Sequence, residues 1–223
     1  MRFVYIPACT FVMGSPSDEK ERYHDEAQHL VILTTGFHIQ ITPVTQKQWM
    51  QVMEDNPSYF KGSEEDCPVE NVSWYDCQEF IRKLNQKEGT DKYRFPSESE
   101  WECVCRAGSK SRFCFGDEES VLEEYAWYYA NSDLKSHPAG YKKPNAWGLY
   151  DMHGNVWEWC QDWYGDYPSD AVSDPSGPSE GSHKVVRGGA WYFYAGSCRS
   201  ACRNSYVTGR TEFFLGLRLV SKA

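Results

Sequence analysis

Nine cysteines and six histidines are the side chains here best suited to metal or redox chemistry, and their spacing limits what they can do. The cysteines stand at 9, 67, 77, 103, 105, 114, 160, 198 and 202, with no repeated Cys-x-x-Cys frame, so a zinc site is not expected. Their number is odd, so they cannot all pair within the chain. The expectation is that most are small buried residues. The histidines at 24, 29, 38, 137, 153 and 183 form no metal-ligand cluster. There is no Gly-x-Ser-x-Gly elbow, no phosphate-binding Gly-rich loop and no His-Glu-x-x-His pair. Three places remain. Cys198 and Cys202 lie close together near the C-terminal end, Asp151 and Glu158 flank a Gly154–Asn155 turn, and Tyr192, Phe193 and Tyr194 run side by side.

The aromatic run is followed by Gly196 and Ser197, and the next stretch continues with Ser205, Tyr206, Thr208, Thr211, Phe213 and Phe214. If residues 190–197 are a strand, side chains alternate faces and the three rings cannot all enter one core. Rigid aromatics mixed with small polar residues are the composition of adaptable binding loops. These eleven positions are therefore expected to gather on one exposed face, with Trp191, Arg199, Arg203 and Leu215 as frame. The competing reading is that the rings are core. Lys184, Arg187, Arg199, Arg203, Arg210 and Arg218 make this end locally basic against Glu212. They are expected to tie down loops rather than to form an anion-binding patch.

The elements that must hold these positions are partly legible. The chain has 223 residues, 40% hydrophobic and 16% aromatic, enough for a packed core. One domain over 1–223 is expected, with a binding segment at about 190–214. Nine Trp and fifteen Tyr suit a loop-rich fold anchored by large rings. A net charge of −9 argues against nucleic acid as a partner. No stretch is long and apolar enough for a membrane helix, so direct membrane insertion is not expected. "MRFVYIPACTFVMGS" reads as strand–turn–strand and not as a signal peptide. Capping boxes at Thr45–Gln48 and Ser97–Glu100, and a helix opening at Ser73–Asp76, predict three helices. The first should stop before Pro57, the second at Gly89 and the third at Gly108. Trp74, Cys77, Phe80, Ile81 and Leu84 mark the buried face of the second. "FVYI", "HLVILTTGFHIQ", "KVVRGGAW" and "GLRLVS" are the strand candidates, and a sheet closed by the first and last strands predicts an α+β fold.

Seven segments, in order along nearly the whole chain, resemble the formylglycine-generating enzyme (sulfatase-modifying factor) family. They are "FVMGSPSDE", "PVTQKQWMQVM", "PVENVSWYDCQEFIRKLN", "YRFPSESEWECVCRAG", "NAWGLYDMHGNVWEWCQDWYG", "VVRGGAWY" and "GLRLV". The resemblance implies a C-type-lectin-like fold with much irregular backbone. Catalytic members of that family bind copper through two thiols after the Gly-Gly-x-Trp motif, and soft thiolates select Cu(I). Counting from Gly188–Gly189, Phe193 stands at the first thiol position and Cys198 at the second. Aligning backward from "RSACR" matches neither, and Cys198 with Cys202 has a spacing of four where the family has five. Copper and oxidase activity on sulfatase cysteines are accordingly not expected, and a lone Cys198 reads as a packed thiol. An iron-dependent branch that forms carbon–sulfur bonds needs a histidine cluster that the chain does not show.

A third branch resembles this chain more fully: the variable proteins of diversity-generating retroelements. They end in a segment rewritten at template adenines, within a frame like "RGGAW", "CRSACRN" and "LGLRL". The inserts "YFYAGS" and "SYVTGRTEFF" fall within the alphabet that such rewriting permits, with Glu212 as a fixed exception. The resemblance implies a non-catalytic protein that binds a protein or cell-surface ligand. It also implies a bacterial, exported or cell-surface location, reached through a segment preceding this chain. The family further implies a structural calcium held by Asp151, the carbonyls of Gly154 and Val156, and Glu158. The alternative is that Asp151 and Glu158 hydrogen-bond or pair with arginines, and the two readings are level. A second family calcium site could start at Asn131, but "SHPAGYKK" lacks its acid.

Overall fold

The computed structural model describes residues 1–61 and 66–222. Among them β1 (Phe3–Ile6) and β2 (Cys9–Met13) confirm the strand–turn–strand opening. The long candidate "HLVILTTGFHIQ" is two strands, β3 (His29–Leu33) and β4 (Phe37–Gln40). The break has a cause: Thr34 donates its backbone N–H and its hydroxyl to the Asp174 carboxylate instead of to a ladder. At Gly36 the Tyr5 ring leaves no room, since a Cβ would lie 2.4 Å from its hydroxyl.

The helices start where the capping boxes place them. α1 (Gln46–Met53) is capped by Thr45 and Gln48, and α2 (Trp74–Glu88) by Ser73 and Asp76, with left-handed Gly89 as its stop. α3 (Glu98–Arg106) is capped by Ser97 and Glu100 but stops at Ala107, one residue before the expected Gly108. Ala107 takes the left-handed cap and donates its N–H to the Cys103 carbonyl. All five residues of the predicted α2 face are buried. Trp49 of α1 stacks on Phe80 of α2 with ring centroids 4.9 Å apart.

After α2 comes the short β5 (Tyr93–Arg94), and after α3 come β6 (Trp157–Trp163), β7 (Val172–Ser173), β8 (His183–Arg187), β9 (Arg203–Val207), β10 (Leu215–Leu217) and β11 (Val220–Lys222). "KVVRGGAW" is a strand only to Arg187, because Gly188 and Gly189 take positive φ and turn the chain away. A Cβ at Gly189 would lie 2.7 Å from the Cys198 sulfur, so the turn needs glycine twice over. "GLRLVS" divides between two sheets, β10 in one and β11 in another. The first sheet has the order β1-β4-β11-β5, so the first and last strands flank β4 rather than each other. The second is β10-β6-β8-β9, and the third is β2-β3-β7.

Carboxylates and guanidinia join these layers inside the protein. Every residue of α3 is buried, including Glu98, Glu100 and Glu102. Arg187 bonds Glu98 at 2.9 Å and Glu102 at 2.5 Å, and Arg203 grips Glu98 through two nitrogens. Arg199 grips Glu26 and also reaches Glu19 at 2.5 Å, while Arg218 grips Glu158 and two backbone carbonyls. All four arginines are buried, so the loop-anchoring reading holds for them. Arg210 is exposed and pairs locally with Glu212. Removing one member of a buried pair strands its partner. Glu98→Ala, which leaves Arg187 and Arg203 short of their shared carboxylate, should cost about 3–5 kcal/mol in urea unfolding.

Candidate functional site

The aromatic run is displayed, but not by strand alternation. After Gly189 the chain makes a turn through Trp191 and Tyr192 and then a 3-10 turn at Ala195–Cys198. Tyr192 is 49% exposed and Tyr194 71%, while Trp191 is buried below them. Phe193 is half-buried, in T-shaped contact with Trp157 and Phe214 at centroid distances of 5.5 and 5.1 Å. Exposure here follows from the turn, which throws two rings outward and wedges the one between them.

Of the eleven expected surface positions, Tyr192, Tyr194 and Thr211 are exposed, and Phe193, Ser197, Ser205, Tyr206, Thr208 and Phe213 are half-buried. Gly196 and Phe214 are corrections. Gly196 is covered by Glu21, whose carboxylate would lie 3.0 Å from a Cβ there, and Phe214 packs into the core beside Phe193 and Phe213. Trp191, Arg199, Arg203 and Leu215 are buried, as expected of frame.

Rings in contact form a continuous ridge. Tyr59 meets Phe213 at 5.7 Å, Phe213 meets Trp191 at 5.6 Å, and Trp191 meets Tyr192 at 5.3 Å. Tyr192 then meets Tyr129 at 6.3 Å, and Tyr129 meets Tyr194 at 4.8 Å. Tyr59 and Tyr129 are exposed and come from distant segments, which reading the C-terminal stretch alone missed. The available signal was adjacent aromatics in aperiodic stretches, Tyr59-Phe60 after Pro57 and Tyr128-Tyr129. Both are pinned: the Tyr129 N–H donates to the Phe193 carbonyl, and the Phe60 N–H donates to the Glu70 carboxylate, each at 2.9 Å.

Beside the ridge lies a cleft of about 410 Å³. Phe193, Ser197 and Ser205 line it with Tyr23, His24 and Asp25. Trp157, Tyr164, Cys202, Arg203 and Asn204 complete it. Ser205 reaches it from β9, opposite Val185 of β8. Thr208 and Thr211 sit in the β9–β10 connection, apart from the ring contacts.

The two thiols are placed differently. Cys202 lines the cleft, and burial pushes its thiol up to about 12. Cys198 is fully buried in a cluster with Phe113, Leu122, Ala126 and Ala195, and burial holds its thiol well above the ordinary range. That is the packed-thiol reading. Seven of the nine cysteines are buried, and Cys9 and Cys114 are partly accessible.

At the Asp151–Glu158 turn, Asp151 and Asn155 take positive φ and Gly154 lies against the Trp127 carbonyl. Val156 and Glu158 are fully buried. Both Glu158 oxygens accept from Arg218, and one also accepts the Trp101 indole N–H at 2.7 Å. Asp151 accepts the Gly140 N–H through Oδ2, while Oδ1 is buried without a hydrogen-bond partner among the described residues, and burial pushes this carboxyl up to about 6. The Asp151 oxygen fits a cation, whereas both oxygens of Glu158 are engaged by a guanidinium. At Glu158 the arginine alternative is the one realised. Asn131 uses its side chain on the Tyr128 N–H and the Ala126 carbonyl.

The architecture and the displayed surface define a class, the α+β, C-type-lectin-like fold of the formylglycine-generating-enzyme type. Residues 1–223 match the sulfatase-modifying factor enzyme 1-like domain, and the chain belongs to that family. It is similar to the structure of Treponema denticola variable protein 1, with a TM-score of 0.93 and 32% identity over 99% of this chain and 95% of that one. It is 31% identical to the chaperone protein LppX of Paenibacillus barcinonensis, over 80% of this chain and 76% of the relative. It is also 31% identical to the formylglycine-generating enzyme of Streptomyces coelicolor, over 70% of this chain and 53% of the enzyme. The chain thus spans about half the length of that enzyme.

Two outcomes follow from this site. Tyr59→Ala, Tyr192→Ala and Tyr194→Ala should each change stability by no more than about 0.5 kcal/mol, whereas Trp191→Ala and Phe214→Ala should cost about 3–5 kcal/mol in urea unfolding. The second concerns Glu70, which burial pushes from an ordinary 4.5 to about 7. Its folded value is the higher one, so the folded state favours the protonated acid and loses stability as pH rises from about 4.5 to about 7. Glu70→Gln should remove that share of the decline. It should melt higher than wild type at pH 8, by on the order of 2 kcal/mol, and match wild type below about pH 4.

Proposed function

We propose that this protein is a non-catalytic ligand-binding protein whose C-terminal segment is a diversified binding surface, of the kind displayed by variable proteins of diversity-generating retroelements. The observation that carries the reading is the ridge of Tyr59, Phe213, Tyr192, Tyr129 and Tyr194, exposed along most of its length and standing on buried Trp191. Tyr supplies rigid contact area at low entropic cost, and the neighbouring serines adapt. The similarity to Treponema denticola variable protein 1 supports it. The ligand is a protein or a cell-surface molecule, met by an exported or surface-attached bacterial protein. Among the described residues no helix is long and apolar enough to cross a membrane.

Peptides selected by display against the full chain should bind the Tyr192→Ala/Tyr194→Ala double variant at least about tenfold more weakly, measured by calorimetry. Unchanged affinity across such peptides would remove the ridge as the binding surface. At the level of the gene, a neighbouring near-copy of codons 190–214 differing at adenines would mark the segment as diversified.

The second reading is a copper-dependent oxidase of sulfatase cysteines, favoured by the similarity to the Streptomyces coelicolor enzyme. Against it stands Phe193 in the cleft, with Cys198 in the core. The purified protein should neither bind Cu(I) tightly nor oxidise a sulfatase-type cysteine peptide. Copper-dependent turnover lost in Cys198→Ser would reverse the assignment.

A further inference from the structure

Two cysteines far apart in sequence meet at the junction of the third sheet and α3. Cys9 opens β2, Cys103 sits in the middle of α3, and their sulfurs are 3.0 Å apart. Contacts independent of the sulfurs hold the two elements together. The N–H of Gly14, the residue after β2, donates to Glu102 at 2.8 Å, and Arg106 donates to the Gly14 carbonyl at 2.8 Å. Glu102 and Arg106 are themselves paired at 2.8 Å, one turn apart on the helix. A disulfide has a sulfur–sulfur bond of about 2.05 Å, so the two sulfurs need approach by only about 1 Å to close the gap.

We propose that Cys9 and Cys103 are a site of covalent cross-linking, forming an internal disulfide by exchange with an external disulfide. Accessibility orders the steps. Cys9 is partly exposed and Cys103 is buried, so the incoming disulfide meets Cys9. The Cys9 thiolate attacks one sulfur of the external disulfide and releases the first thiolate. Cys103 loses its proton and attacks the Cys9 sulfur, breaking the mixed disulfide and releasing the second. The two cysteines are oxidised by two electrons, the external disulfide is reduced to two thiols, and the two cysteine protons end on them. The hydrogen bond from Cys103 holds the Cys9 thiol below its ordinary pKa, which favours Cys9 as the attacking group. The product ties β2, and through it the β2-β3-β7 sheet, to the helix that carries Glu98 and Glu102.

The test is incubation of the full chain with oxidised glutathione, followed by alkylation and peptide mapping without reductant. A linked peptide joining Cys9 to Cys103 is expected, with both thiols protected from alkylation together. The melting temperature should rise by roughly 5–10 °C over the reduced protein, because the bridge closes a long loop. Reductant should reverse both effects, and Cys9→Ser, a change at a partly exposed strand end, should abolish both. Cys9 and Cys103 still alkylated, or Cys9 joined to glutathione or to a different cysteine, would overturn the proposal. A linked peptide with no rise in melting temperature would overturn the bracing role.

Discussion

The C-terminal third of this protein is held by arginines that have been taken out of water. A buried guanidinium is tolerable only when carboxylates and carbonyls meet it with good geometry, since desolvating an ion costs several kcal/mol. Arg187 and Arg203 meet that condition on a shared Glu98, Arg187 also on Glu102, Arg199 on Glu26, and Arg218 on Glu158. α3 contributes Glu98 and Glu102, β6 contributes Glu158, and the segment after β2 contributes Glu19 and Glu26. The network therefore fixes the end of the chain to three earlier parts of it. Between the anchors at 187 and 199, and again between the end of β9 and the start of β10, the backbone is free to be loop.

Display depends on that division. A loop carrying exposed Tyr192 and Tyr194 would collapse onto the nearest apolar surface if nothing held it open. Here its base is locked by the Arg199–Glu26 pair, by Trp191 over Phe213, and by the Trp191 indole N–H on the Phe213 carbonyl at 3.1 Å. Tyr192 rests on buried Trp191, and Tyr59 on half-buried Phe60 and Phe213, so their orientation is set by packing. Substitution at the tips leaves the base intact, which is the physical condition for a surface whose sequence can change while its fold does not.

Cys198 and Glu158 are used for packing and charge balance. Cys198 is enclosed by apolar side chains, where the thiolate is disfavoured, and Glu158 neutralises Arg218. Phe193, counted at a thiol position of the family, instead wedges between Trp157 and Phe214 at the edge of the cleft. The cleft is thus bounded by aromatic rings and small hydroxyls together with His24, Asp25 and Arg203.

What the sequence determined by itself was local. Each helix start is written as a capping box, because three or four neighbouring residues satisfy the first N–H groups without outside help. The α2 face was legible because a period of 3.6 is a property of the helix alone. The frame arginines and the displayed tyrosines could be told apart by residue type and order. Tertiary structure decided the rest. It broke "HLVILTTGFHIQ" at Thr34, because Asp174 offers a better partner than the ladder. It buried Gly196 under Glu21 and exposed the tyrosines by a turn rather than by alternation. It extended the surface to Tyr59 and Tyr129, and it gave Glu158 to Arg218, 60 residues away in the chain. Contacts between residues so distant depend on how whole elements pack, and no local pattern in the sequence encodes them.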